Sequence, residues 1–126
     1  MTLGKEHMAV TKTDIEEGVA YDERSCAVAL CVRREAGIDI GNIRVSEDCV
    51  TVDLPDGRVS YACSPSLSEW INHHDEWKYT HNSDSQSDGR PHPITLTVYE
   101  THELDGPQGR WYDPRLHVGV IDCCPT

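Results

Sequence analysis

A chain of 126 residues carrying 11 Lys+Arg against 22 Asp+Glu has room for one domain of ordinary size, at roughly 100–200 residues per domain. Its net charge of −11 excludes a direct binder of nucleic-acid phosphates, whose affinity rests on clustered Lys and Arg. The longest apolar run is residues 26–32, far short of the ~18 needed to span a membrane, and the N-terminus lacks the charged-then-apolar layout of a secretory signal. The expectation is a cytoplasmic protein with no membrane partner.

Residues 1–10 read as a flexible extension without structure of their own. Thr13 and Glu16 have the spacing of a capping box, in which a hydroxyl accepts from an orphan amide and the Glu reaches back. Gly18 follows as a stop, so one or two turns of helix are expected there. Residues 26–36 combine Ala and Leu with few polar positions; Ser25 is the expected N-cap, Arg33 and Arg34 suit the negative end of the dipole, and Gly37 ends it. A helix apolar nearly all round is buried on most sides, so this is the expected core helix.

The period then changes from helical to alternating. Ile43 and Val45, then Val50, Val52 and Leu54, then Val59, Tyr61 and Cys63 alternate with polar residues, which is the two-residue period of half-buried strands. Turns at 46–48 and 55–57 make these a three-stranded antiparallel meander. Pro65 suits a first helical position, and Ser66 with Glu69 forms a second capping box. Leu67, Trp70, Ile71 and His74 then fall on one face of a helix over 66–77, with Trp77 and Tyr79 at its end. Residues 81–90 are a polar, mobile loop. Ile94, Leu96 and Val98 mark a fourth strand over 93–100, and Leu116, Val118 and Val120 a fifth. The expected architecture is a single α+β domain over 11–126, with a mainly antiparallel sheet of four to five strands packed on two helices.

The segments VTKTDIEEG (10–18) and SCAVAL (25–30) resemble a pattern found in a family of small bacteriophage and mobile-element proteins. That pattern is a Thr-capped turn ending in Gly, followed by a helix opening on Cys, Pro, Val, Ala and Leu; here Ala27 stands at the Pro position. VTV at 50–52, RVSY at 58–61, the helix at 70–75 and PITLTV at 93–98 follow in the family's order, so the likeness covers about 10–98. These motifs are caps, core and turns. The resemblance implies the fold and a phage-type origin, with host bacterial cytosol as location, and no defined activity.

Chemistry-bearing residues fall into three groups. Six Cys with no signal layout read as reduced thiols, four of them (Cys26, Cys31, Cys49, Cys63) inside apolar patterns where Cys behaves as a small hydrophobe. No cofactor is expected; the alternative is a small metal- or ligand-binding domain, with zinc held by His102, His117, Cys123 and Cys124, since imidazole and thiolate suit a soft ion. A second alternative is a small hydrolase centred on His81 or His92, although no nucleophile elbow or phosphate cradle is present. The leading expectation is a non-enzymatic, acidic interaction protein that modulates a host protein. Its target is a partner with a basic surface, such as a host-defence nuclease complex, in the manner of an anti-CRISPR protein. The residues expected to carry it are Glu100, Glu103 and Asp105, with Arg110, Trp111 and Tyr112 at the base of a projecting 99–113 loop, and Glu47 and Asp48. Carboxylates steer association with basic surfaces, and Trp, Tyr and Arg are the types enriched at binding hot spots.

Overall fold

The structure, a computed structural model, describes residues 6–37, 42–55, 57–81, 90–100 and 115–125. In chain order these form β1 (His7–Val10), α1 (Lys12–Glu17), α2 (Ala27–Ala36), β2 (Ile43–Val45), β3 (Cys49–Leu54), β4 (Gly57–Cys63), α3 (Pro65–His81), β5 (Ile94–Glu100) and β6 (Gly119–Pro125). The fold is a single α+β domain. Its six strands make one sheet in the order β1-β5-β6-β4-β3-β2. Every pairing is antiparallel except β4 with β6, which is parallel. The expected four to five strands and two helices are thus six and three, and the sheet is mixed.

Side chains alternate across the strands, and the register aligns one apolar face from edge to edge. Met8 lies opposite Leu96, Val10 opposite Ile94, Val98 opposite Ile121, Val50 opposite Tyr61, and Val52 opposite both Val59 and Ile43. This face meets Ile15, the buried residues of α2 and Leu67, Ile71 and Trp77 of α3 in one core. α2 contacts both β1 and β2, the two edge strands, so the sheet curls around it. At one edge the Ala9 carbonyl accepts from Arg34 Nη2 (2.9 Å) and Cys31 Sγ (3.2 Å). At the other, the Val45 amide donates to the Glu23 carbonyl at 2.7 Å. Among the described residues no helix is long and apolar enough to cross a membrane.

Several local expectations shift. Residues 7–10 are a strand with Met8 and Val10 almost fully buried, where an extension over 1–10 is expected; four residues are too few to show a period, and only pairing with β5 reveals them. The first capping box is Thr11 with Asp14 rather than Thr13 with Glu16. Cys26, not Ser25, is the N-cap of α2, and it makes no side-chain cap bond; Gly37 ends the helix in the left-handed conformation at φ 70°. The cap of α3 lies two residues before Ser66: the Leu67 amide donates to Ser64 Oγ at 3.2 Å, and Pro65 is the first helical residue, as its ring suits. α3 also runs on to His81, so Trp77 is a core residue within the helix and Trp70 is only half-buried. β6 lies at 119–125, with Leu116 and Val118 exposed before it. A strand flanked on both sides is buried on both faces around Val120 and Ile121, which erases the alternation used to place it. The loop expected at 81–90 falls largely on 82–89, outside the described residues.

α1 is held by α3. Its buried Asp14 accepts from the Thr11 amide at 2.9 Å and pairs with Arg34 of α2 at 2.5 Å. The buried His74 donates through Nε2 to the Ile15 carbonyl at 2.9 Å, and Lys78 Nζ donates to the Glu16 carbonyl. Carbonyls at a helix C-terminus have no partner within the helix, so α3 supplies them.

Two outcomes follow for stability. Met8→Ala is expected to cost about 2–5 kcal/mol, as for other buried large-to-small changes, read as a lower urea midpoint; a loss under about 0.5 kcal/mol would mean that β1 is not part of the core. A Cβ at Gly119 would sit 2.1 Å from the Tyr99 carbonyl oxygen, so Gly119→Ala is expected to destabilise by about 1–3 kcal/mol by the same measurement.

Candidate functional site

The site is built where the segment between α1 and α2 meets α3 and the β2–β3 turn. Tyr21 adopts a left-handed backbone, φ 60°, which is costly for a bulky side chain and persists only where the surroundings over-determine it. What holds it is Asp75, 54 positions away on α3, whose Oδ1 accepts from the Tyr21 amide at 3.0 Å. The next residue, Asp22, folds its own carboxylate onto the backbone: Oδ1 accepts from the Arg24 amide at 2.9 Å and the Ser25 amide at 3.1 Å. This turn delivers the chain to Cys26, whose amide donates to the Asp22 carbonyl at 3.0 Å.

The result is a cleft of about 420 Å³ between this turn, α3 and the β2–β3 connection. Asp22, Glu23, Glu47 and Asp75 line it, with Ser46, Asn72 and the ring of Tyr21. Its apolar floor is Cys26, Val45 and Ile71. No Lys or Arg is among the described residues lining it. The exposed Asp22, Glu23 and Glu47 and the buried Asp75 share this one cleft, and like charges brought together repel; a bound cation relieves that repulsion. Beside it, Tyr21 and Tyr79 meet edge to face (5.9 Å, 75°) while remaining 65% and 75% exposed. Aromatic faces attract cationic side chains, so the tyrosines and carboxylates favour the same class of ligand.

The sequence-predicted residues are distributed unequally. Glu47 lines the cleft, whereas Asp48 sits exposed in the turn, its amide donating to Ser46 Oγ and its carbonyl accepting from the Cys63 amide. Glu100, half-buried at the end of β5 and away from this cleft's described lining, accepts from the Tyr61 hydroxyl at 3.1 Å. Glu103, Asp105, Arg110, Trp111, Tyr112 and His102 lie outside the described residues. Sequence reasoning missed Tyr21, Asp22, Glu23 and Asp75 as site residues; the contact of Tyr21 with Asp75 spans 54 positions and leaves no local pattern.

Of the C-terminal metal candidates, His117, Cys123 and Cys124 fall within the described residues. Cys123 lies opposite Leu96 on the core face of β6 and Cys124 opposite Thr95 on the other face, because neighbours on a strand point to opposite sides. His117 precedes the strand and places Nδ1 3.0 Å from Ser60 Oγ of β4. Among the described residues no group of three or more His, Cys, Asp or Glu is arranged to hold a metal ion. Of the hydrolase candidates, His92 is exposed just before β5 and His81 closes α3, its side chain outside the described part of the structure. The Ser60–His117 contact, extended by Thr51 Oγ1 donating to Ser60 Oγ at 3.4 Å, belongs to the strand face away from the helices.

The cysteines are free thiols, with Cys26, Cys31 and Cys63 buried and Cys124 exposed. Burial is the main cause of raised pKa in all the shifted thiols. It pushes Cys26 up to about 11, with Asp75 and Asp22 adding to it, and Cys31 up to about 12, with Asp14 adding. Cys63 is raised as well. Cys26 stands at a helix N-cap, a position that ordinarily lowers a thiol pKa; here desolvation outweighs it. Comparison with known proteins finds no matching family model, curated protein or solved structure.

These thiols set an alkaline limit. A folded pKa raised above the unfolded one stabilises fully below the unfolded value, near pH 9, and the stabilisation is lost as pH rises towards 11–12 for Cys26 and Cys31. The Tm is therefore expected to fall through that window, and Cys31→Ala is expected to flatten the fall. A Tm whose pH slope there is the same in Cys31→Ala as in the parent chain would contradict the assignment. Iodoacetamide at pH 8 is expected to modify Cys124 well before Cys26, Cys31 or Cys63, read by peptide mass spectrometry.

Proposed function

We propose that the protein acts by binding rather than by catalysis, receiving a Lys- or Arg-bearing segment of a partner protein in the acidic cleft and thereby modulating that partner. The observation that carries this reading is the convergence of Asp22, Glu23, Glu47 and Asp75 on one cleft beside the exposed Tyr21–Tyr79 pair, without a basic residue among its described lining. A guanidinium or ammonium group entering there meets carboxylates on several sides and an aromatic edge, while its aliphatic stem packs on Val45 and Ile71. The chain's net charge of −11 adds long-range steering towards a basic surface. The resemblance to small phage and mobile-element proteins makes the partner a host protein in the bacterial cytosol. A nucleic-acid-handling defence complex is the kind of partner whose basic channel such a surface occupies.

The test uses the full chain as bait in host lysate, beside a variant with Asp22→Asn, Glu23→Gln and Glu47→Gln and a control variant with Asp53→Asn, whose carboxylate is already paired with Arg58. A discrete partner is expected to be retained at low salt, released by roughly 0.3–0.5 M NaCl as screening shortens to a few ångströms, and lost from the triple variant but not from the control. Affinity for the isolated partner is expected to fall at least about tenfold in the triple variant, on the scale of lost charge-assisted contacts. Retention that ignores salt, or survives the triple substitution unchanged, would overturn the reading.

A further inference from the structure

A second cleft, of about 700 Å³, lies between the first half of α3 and the start of β5 where it pairs with the end of β6. We propose that it is a binding site for a small planar aromatic carboxylate, independent of the acidic cleft and of the reading given to it. Its volume falls within the ~300–1,000 Å³ of small-molecule sites. The walls are flat and apolar: the half-buried Trp70 indole, the buried Ile94 and the sulfur of Cys123.

Trp70 is fixed from two directions, which makes the slot pre-formed. Its Nε1 donates to the His92 carbonyl at 2.9 Å, and its ring stacks parallel on buried His74 (5.7 Å, 10°). A ligand ring entering there orders little that is not already ordered, so little conformational entropy opposes binding.

The charge preference comes from what lines the mouth. In a chain with 22 Asp+Glu, no carboxylate is among the described residues lining this cleft. Its polar groups are the Ser66 hydroxyl and the imidazoles of His73 and His92, all capable of donating a hydrogen bond. Ser66 lies in the first turn of the 17-residue α3, where the helix dipole favours negative charge. Burial, then Asp122 and Cys124, push the Cys123 thiol up to about 11, so the sulfur itself is uncharged. The Asp122 carboxylate is engaged by the Ser64 hydroxyl at 2.5 Å and the Cys123 amide at 2.8 Å and is not among the described lining residues. Among the described lining residues a cation finds no counter-charge, and a polyphosphate finds neither Lys nor Arg. An aromatic body against Trp70 and Ile94, with its carboxylate at Ser66 and His92, uses every feature of the cleft.

The experiment titrates the ¹⁵N-labelled full chain with three probes of one shape: 2-naphthoate, 2-naphthamide and 2-naphthylmethylamine. Saturable shifts are expected at the Trp70 indole N–H and at the Ser66, Ile94 and Cys123 amides. Naphthoate is expected to bind at least about tenfold tighter than the amide or the amine, the scale of a charge-assisted contact. Ser66 and His92 are exposed, so Ser66→Ala and His92→Ala leave the core intact, which the remaining spectrum checks. Each is expected to weaken naphthoate by about three- to tenfold while leaving the amide unchanged. Equal affinity for acid and amide, shifts centred on Asp22 and Glu47 instead, or no saturation by about 5 mM naphthoate, a concentration that detects even millimolar binding, would each overturn the proposal.

Discussion

The structure depends on α2 being able to lie against both edges of the sheet at once. A six-stranded sheet that does not close has two rows of unpaired backbone groups, and these recruit other chains unless covered. α2 and the segment leading into it cover both: Cys31 and Arg34 bond the β1 edge through the Ala9 carbonyl, and the Glu23 carbonyl receives the Val45 amide of β2. The sheet must curl for one ten-residue helix to reach both ends. Ala27, Val28, Ala29, Cys31 and Val32 are all buried, and small residues on most sides let the sheet approach α2 closely.

The same constraint creates the acidic cleft. Once α2 is seated, the chain before it must turn sharply from the end of α1, and the Tyr21 backbone takes the strained conformation in that turn. α3 supports both ends of this passage. His74 and Lys78 bond the last carbonyls of α1, Arg90 pairs with Glu16 at 3.0 Å, and Asp75 anchors the Tyr21 amide. Trp77 lies buried beneath, with Lys78 and Arg90 each over its ring at 5.8 and 5.4 Å. Lys78 and Arg90 are spent on these structural contacts, and of the cleft carboxylates Asp22, Glu23 and Glu47 are exposed while Asp75 is buried against the Tyr21 amide. Segregation of charge is therefore a consequence of how α1 and α3 are locked together. It leaves one cleft rich in acid and another, on the opposite face of α3, with no carboxylate among its described lining residues.

Much of the fold was legible because its signals are local. The meander at β2–β4 rests on strict alternation and two turn sequences, and the burial of α2 on an apolar composition wider than one face. Less was legible where pairing partners are distant. β1 is four residues whose strand character exists only against β5, and β6 is central, so its burial on two faces hides its period. The parallel pairing of β4 with β6 joins Tyr61 to Gly119, across a helix and another strand, and no local pattern announces it. The caps moved by one or two residues because neighbouring hydroxyls offer alternative starts to the same helix: Ser64 caps the Leu67 amide ahead of Ser66, and Thr11 the Asp14 amide ahead of Thr13.

The candidate site divides in the same way. By itself the sequence determined an α+β domain, a buried helix after Cys26, a meander, and an excess of acid that favours basic partners, because composition and short-range periodicity act through nearest neighbours. Tertiary structure alone decided which carboxylates share a surface: Asp75 reaches Tyr21 across 54 positions and Glu47 joins Asp22 and Glu23, while Glu100 is drawn to the Tyr61 hydroxyl. It also set Cys123 and Cys124 on opposite faces of one strand and placed Cys123 with Trp70 and His92. These juxtapositions depend on strand register and on how a curled sheet is packed against α3. Both are set by long-range packing free energy, and no short window of residues encodes it.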